Sequence, residues 1–477
     1  MKKLLLCFLI LSGWNTLLFA QVYDFQNVTL LGRFDDTTFQ SNNWVNSRYS
    51  GCWGWYNPAD QREYAIIGGS HGTYIVEITN PTNPVLRDYV PGLQINCVWR
   101  EYKTYQNYLY MVSDDPEPNG LQIADLSYLP DSVHIVHSGN TIISRSHTIW
   151  IDGNKLYCGG VRGPAIGSSS GNNFASMAVF SLANPANPVL LRKLNQDYPF
   201  IGYVHDMFVR NDTCYASCAF DGLYVFKFNP NNTFTLLGSL TTYPFAGYNH
   251  SSSLTDDGKV LVMMDEVPNA LPAKVIDVSY ITNMVVMATF NSSAGATPHN
   301  PFVIGNNYVV CANYQDGIQI YNISNPANPV RTGYFDTHYQ TPINNVSHGY
   351  VGCWGAYPWL PSGKIIAADM QNGLYILDAS AAVGTTPVSH ITVSNNWSAS
   401  FNPQQNTIEL HVFSEQSTPM SVSLYDAKGS LLFTSFFKVH DRRVNVIAIP
   451  AAGLASGVYF IKAETDLQNK VLKVVTP

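Results

Sequence analysis

Charge is scarce in this chain: 12% of its 477 residues are Asp, Glu, Lys or Arg. The basic residues nowhere gather into a block, and the formal net charge is -7, so nucleic acid is not an expected partner, because a polyphosphate is bound by clustered cations. Cysteine is also sparse, with eight in all. Cys7 lies in the N-terminal apolar run, which leaves Cys52, Cys97, Cys158, Cys214, Cys218, Cys311 and Cys353. An odd set of seven spread so thinly is not the framework of a disulfide-stapled fold. After the first twenty residues no stretch approaches eighteen uninterrupted apolar residues, so no membrane-spanning helix is expected in the mature chain. Convincing helical periodicity is missing too, which turns attention to strands.

What is present begins with an address. Lys2 and Lys3 precede an apolar run from Leu4 to Leu11, and Ala20 stands before Gln21. Basic start, apolar stretch and small residue are the order of a secretory signal peptide, expected over residues 1–20. Its removal takes two positive charges, and -7 - 2 gives a mature charge of -9. No cysteine occupies the cleavage point, so a lipid anchor there is not expected.

The body is repetitive. "EITNPTNPV" (77–85), "SLANPANPV" (181–189) and "NISNPANPV" (322–330) are one phrase written three times. Around them recur pairs of alternating apolar runs, such as "YVVCANYQDG" followed by "GIQIYNI", in seven units spaced about fifty residues apart. Tyr, Val and Ile alternation ending in Gly, Asn or Asp reads as antiparallel strands joined by turns. Asp316-Gly317 suits a tight hairpin turn, and the paired prolines make a rigid link that withholds two N–H donors. Four strands per unit in seven units predict an all-β fold, a seven-bladed β-propeller over residues 21–380. Residues 29–36, "TLLGRFDD", match "VRTGYFDT" at 330–337, yet no unit precedes them. The first mature strand is therefore expected to complete the last blade and close the ring, leaving no open edge there.

Each unit's first strand should line the central channel. At its start stand His147, His205, His250 and His299 in four consecutive units, Arg100 and Glu101 in the second unit, and Cys52-Trp53 and Cys353-Trp354 in the first and last. Three readings of the histidines stay open. They could hold a divalent metal with Glu101 or Asp206, since imidazole and carboxylate suit such ions; they could form a polar ligand funnel with Arg100, walled by Trp53 and Trp354; or each could tie neighbouring blades together through ring N–H bonds to backbone. Asp114, Asp265 and Glu266 end strands and are read as terminators. Ring closure would place Cys52 and Cys353 on adjacent blades, where a disulfide competes with two buried thiols. No catalytic residue is assigned, because no Ser lies in a nucleophile elbow and "GSSSG" (167–171) reads as a loop tip. No cofactor is required beyond the metal option.

Composition changes after Asp378. Residues 381–390 read as a linker, and alternating runs from residue 391 to 477 predict a small C-terminal β-sandwich.

The units "GLQIADL", "GIQIYNIS" and "GLYILD" resemble the LVIVD repeat of bacterial and archaeal surface propellers. The succession "WREYKTY", "SHTIWIDG", "VHDMFVRND", "PHNPF" and "GCWGAYPWLPSGKIIAADMQNGLYIL" resembles the choice-of-anchor B family over residues 25–380. In the tail, "VSLYDAKGSLL" (422–432) and "ASGVYF" (455–460) resemble a type A C-terminal sorting domain of the type IX secretion system of Bacteroidota, although its usual "YPNP" opening is replaced here. These resemblances imply an exported propeller, secreted or held on the outer cell surface, that meets the type IX machinery through its tail. The channel-face residues make a binding module for a surface protein or a glycan the leading reading of the body. The alternative is a secreted hydrolase or lyase acting on a polysaccharide or other polymer at the channel face.

Overall fold

Runs such as "EYAIIGG" and "GTYIVE" put β-branched and aromatic side chains on both faces, which suits strands buried on both sides. In the computed structural model they are the strands Arg62–Gly69 and Gly72–Glu77. The structure describes residues 23–167, 174–338, 350–384, 397–402, 406–414, 418–439, 443–465 and 469–476. The expected signal peptide and residues 168–171 of the "GSSSG" loop lie outside them. Two compact units divide between residues 388 and 389.

The first unit contains seven antiparallel sheets among its described residues. Their first strands are Tyr49–Asn57, Arg100–Tyr105, Thr148–Asp152, Asp206–Arg210, Asn249–Leu254, Asn300–Ile304 and Cys353–Tyr357, and we number the sheets in this order. Each first strand packs against the next, and Cys353–Tyr357 packs against Tyr49–Asn57. The architecture is propeller-like. Sheets 1 to 5 take four consecutive strands each, whereas sheet 7 takes its fourth from the other end of the chain: Thr29–Phe34 runs along Gly373–Asp378 with Thr29 opposite Asp378. Sheet 6 gains a fifth strand that the sequence pattern did not reveal, Phe25–Gln26, paired with Val330–Phe335.

Apolar layers lie between neighbouring sheets, as where Phe208, Tyr215 and Val225 of sheet 4 meet Leu261, Met263 and Ile276 of sheet 5. Full burial of each such side chain contributes about 1.5–3 kcal/mol. The repeated Asn-Pro phrase is a turn in all three copies. Asn83 N–H donates to Asn80 O at 3.1 Å, Asn187 to Asn184 at 3.0 Å and Asn328 to Asn325 at 2.9 Å, and the first Asn side chain of each also accepts a backbone N–H two residues on. The phrase is scaffold. Its first copy presses on the N-terminal strand so closely that a Cβ on Gly32 would lie 1.9 Å from Pro81 O.

Two expectations need correction. Residues 381–383 are not free linker: Ser380–Val383 forms a helical turn whose Ala382 is buried in the apolar layer beside Ile320 and Phe335. Residues 385–390 of that linker lie outside the described ones. Cys52 and Cys353 form no disulfide, and all seven described cysteines are buried free thiols; burial between the sheets raises the thiol pKa of both.

In the second unit, Ser398–Asn402, Thr407–Ser414 and Arg443–Pro450 form one sheet. Thr418–Asp426, Leu431–Val439, Gly457–Glu464 and Asn469–Thr476 form another. Ile408 and Leu410 from the first pack with Met420, Val422 and Ile461 from the second. Gly429 turns the chain at φ 86°, while Asp426 Oδ1 accepts the N–H groups of Lys428 and Ser430.

Candidate functional site

Because every first strand begins at the same end of its sheet, the residues that start those strands share one mouth of the channel. His147, His205, His250 and His299 follow one another around it, with ring centroids 4.1, 4.2 and 4.3 Å apart. His299 then faces Trp354 at 4.6 Å. His205 Nδ1 donates to His250 O at 2.9 Å, and His299 Nδ1 donates to Trp354 O at 2.5 Å. A carbonyl only accepts, so Nδ1 carries the proton in both rings and Nε2 is left as an acceptor. These two histidines thus tie their sheets to the next one.

Electrostatics divides the four. Burial, reinforced by neighbouring imidazoles, holds His205 and His250 well below the ordinary histidine range. Burial pushes His299 down to about 3. His147 goes the other way: burial lowers it, but the carboxylates of Asp114 and, behind it, Glu101 and Asp206 together outweigh that and raise it overall, with Nδ1 2.7 Å from Asp114 Oδ2. Glu266 completes the mouth. Its Oε1 accepts from Tyr314 OH at 2.6 Å, its Oε2 lies 3.8 Å from His250 Nε2, and burial raises its pKa.

Asp114 and Glu266, read from sequence as strand terminators, therefore belong to the site. The signal was present in the hairpin geometry: a second strand runs back, so its last residue returns to the end at which first strands start. His250, Glu266 and His299 each offer one ligand atom, and these three atoms lie within 4.8 Å of one another, a cluster able to hold a divalent metal.

The four histidines line one pocket of the channel. Glu101, Lys103 and Asp206 face it, with Trp53, Cys52 and Trp354 in its wall. Lys103 Nζ stands 3.8 Å from Glu101 Oε2 and 4.2 Å from the Trp53 ring centroid, while Asp206 Oδ1 accepts from Thr148 Oγ1 at 3.0 Å. Burial raises both acids and lowers Lys103, which brings all three toward their neutral forms. Lys103 gave no signal in the sequence beyond its place two residues after Glu101, on the same face of a strand.

Arg100 is not part of this channel. Its Nε donates to Gly69 O at 2.8 Å and its Nη2 to Gln94 O at 2.9 Å, so the guanidinium is held between sheets 1 and 2 and its role is structural.

Around the histidines lies a run of aromatic rings. Trp44, 68% exposed, meets Trp99 edge-on at 5.1 Å, and Trp99 approaches His147 at 6.2 Å. Farther round, His205 meets Tyr248 at 5.2 Å, and Tyr248 meets Phe220, which is 70% exposed, at 5.1 Å. On the opposite flank His299 contacts Tyr314 at 4.6 Å, and Tyr314 contacts the exposed Tyr350 at 5.4 Å.

Residues 402–476 match the family model of a secretion system C-terminal sorting domain. No curated protein matches the chain. Among solved structures, the chain is similar to PorZ, described as an essential bacterial surface component of the type-IX secretion system of Porphyromonas gingivalis, at 11% identity and a TM-score of 0.43 over 87% of this chain. It spans 58% of the length of PorZ. The β-propeller domain of Cps50 (Swd1) from Myceliophteria thermophila is similar at 9% identity and a TM-score of 0.47, over 73% of this chain and 98% of that one. The sorting domain makes this a secreted or cell-surface protein. Among the described residues no helix is long and apolar enough to cross a membrane.

Proposed function

We propose that the chain is a choice-of-anchor B propeller of seven blades, closed by its own N-terminal strand and exported through the type IX machinery, and that it serves on the cell surface as a carbohydrate-binding module. The observation that carries this reading is the aromatic run at the channel mouth, in which the exposed faces of Trp44, Phe220 and Tyr350 flank polar imidazole and carboxylate groups. Flat apolar faces beside fixed hydrogen-bonding groups suit sugar rings, which carry both C–H faces and hydroxyls.

A polymer hydrolase is less well supported. Burial raises both carboxyls that such chemistry would use, Glu101 and Asp206, which favours the neutral acid over the ionised nucleophile or base.

Tryptophan fluorescence titration with a panel of cell-surface and plant oligosaccharides tests the proposal. Saturable quenching by at least one of them is expected, weakened about tenfold or more by Trp44→Ala or Phe220→Ala. Binding that neither variant alters, or capture of a protein partner through this mouth with no oligosaccharide bound, would overturn it.

A further inference from the structure

We infer that His250, Glu266 and His299 form a binding site for one divalent transition-metal ion, zinc by preference, at the channel mouth. The inference goes beyond the carbohydrate reading and does not depend on it. Three donor atoms of the correct types lie within 4.8 Å of one another. A tetrahedral zinc with bonds of about 2.0–2.1 Å holds its donors roughly 3.4 Å apart, and the gap between His250 Nε2 and Glu266 Oε2 is 3.8 Å. The other donor pairs lie within 4.8 Å, so side-chain rotations that move them by about an ångström bring all three onto one ion.

The surroundings are those of a built site. His299 is 1% exposed; its Nδ1 is bound to Trp354 O, and its Nε2 is buried with no protein partner. A buried ring nitrogen left with an unused lone pair is costly unless something accepts it. Ligating histidines characteristically donate their other nitrogen to a carbonyl or carboxylate, which fixes tautomer and orientation, and the His299–Trp354 bond does this. The carboxylate is oriented in the same way, since Tyr314 OH donates to Glu266 Oε1 at 2.6 Å and leaves Oε2 facing His250. Two imidazoles and one carboxylate favour zinc and its neighbours over calcium or magnesium, which take oxygen donors. With three protein donors, one position of a four-coordinate ion is left open, as in zinc sites that take water or a substrate oxygen.

The test uses the full mature chain, stripped with a chelator and dialysed against Zn²⁺ in the absence of any sugar. One zinc per chain is expected, undisturbed by excess Ca²⁺ or Mg²⁺, and Co²⁺ in its place should give the visible d–d absorption of a low-coordinate nitrogen–oxygen site. Glu266→Gln keeps the side chain's size and should weaken zinc at least tenfold. Tyr314→Phe, which touches no ion directly, should weaken it about tenfold, in the range seen when an outer-shell partner is lost. Failure of the wild-type chain to take up zinc would overturn the inference. So would zinc uptake that both variants leave unchanged, or ready displacement by Ca²⁺. Should Glu266→Gln not fold, Tyr314→Phe and the cobalt spectrum of the wild-type chain decide alone.

Discussion

His147 Nδ1 sits 2.7 Å from Asp114 Oδ2, joining the third sheet to the end of a strand in the second. The pair accounts for the one histidine of the mouth whose pKa is raised rather than lowered, and Asp114 is lowered in return, its burial outweighed by His147 and Arg145. For His147 the sign is that of a folded pKa above the unfolded one: its contribution is fully present below about pH 6.5 and is lost as pH rises through the folded value. Asp114 contributes above about pH 4 and loses that contribution as pH falls through its lowered value. The two windows overlap in mildly acid solution. Asp114→Asn should move the His147 titration midpoint downward, read from its ring Cε1–H signal by NMR. An unmoved midpoint would show that the carboxylate does not set it.

Asp265 and Lys274 form an ion pair at 2.6 Å with neither side chain exposed. Tyr243 OH also donates to Asp265, at 3.0 Å. Asp265→Ala leaves an uncompensated buried ammonium and should cost about 3–5 kcal/mol in urea unfolding. The double variant Asp265→Ala/Lys274→Met should recover much of that loss, and equal stability of single and double variants would refute the account.

Gly32 has no room for a side chain against the first Asn-Pro turn, where Pro81 O would meet a Cβ at 1.9 Å. Gly202 has nothing within 4 Å of its own added Cβ. Gly32→Ala should therefore cost about 1–3 kcal/mol through forced backbone movement, while Gly202→Ala stays within about 0.5 kcal/mol. Thermal unfolding of the two variants side by side checks the contrast.

The second unit makes a separate prediction about location. Deleting residues 391–477 removes the matched sorting domain, and the remaining chain should accumulate inside the outer membrane with its propeller still folded. Fractionation followed by protease accessibility reads the outcome, and truncated protein at the cell exterior would count against the sorting role.

Much of this architecture was legible because strands of one blade recur in order: "GIQIYNI" and "GLYILD" carry the same alternation, and "TLLGRFDD" betrays its pairing by likeness to "VRTGYFDT". The site was harder to read. Histidines at equivalent strand starts pointed to one mouth, but direction depends on side-chain rotamers that no repeat encodes. Arg100 sits at an equivalent start and turns into the sheet boundary, where carbonyls of Gly69 and Gln94 take its donors. Glu266 and Asp114 were hidden by position, since each follows a second strand and joins the mouth only once the hairpin has brought it back. Lys103, buried among Trp53, Glu101 and Asp206, was hidden by type, because lysine on a strand ordinarily faces water.

The pairing of Thr29–Phe34 with Gly373–Asp378 has a consequence in time. Arg33 Nε donates to Asn372 O across 339 residues of chain, so the last sheet stays one strand short until both ends of the body exist. Contacts of such long sequence separation close late and slow folding. A secreted chain gains from this order: its first segment is made early, finds no partner, and waits for the final strands to arrive. Circular permutation of the first unit alone, without residues 389–477 and with new termini at the Gly258 turn, would place Thr29–Phe34 shortly after its own sheet, turn that slow step into a local hairpin and shorten the wait.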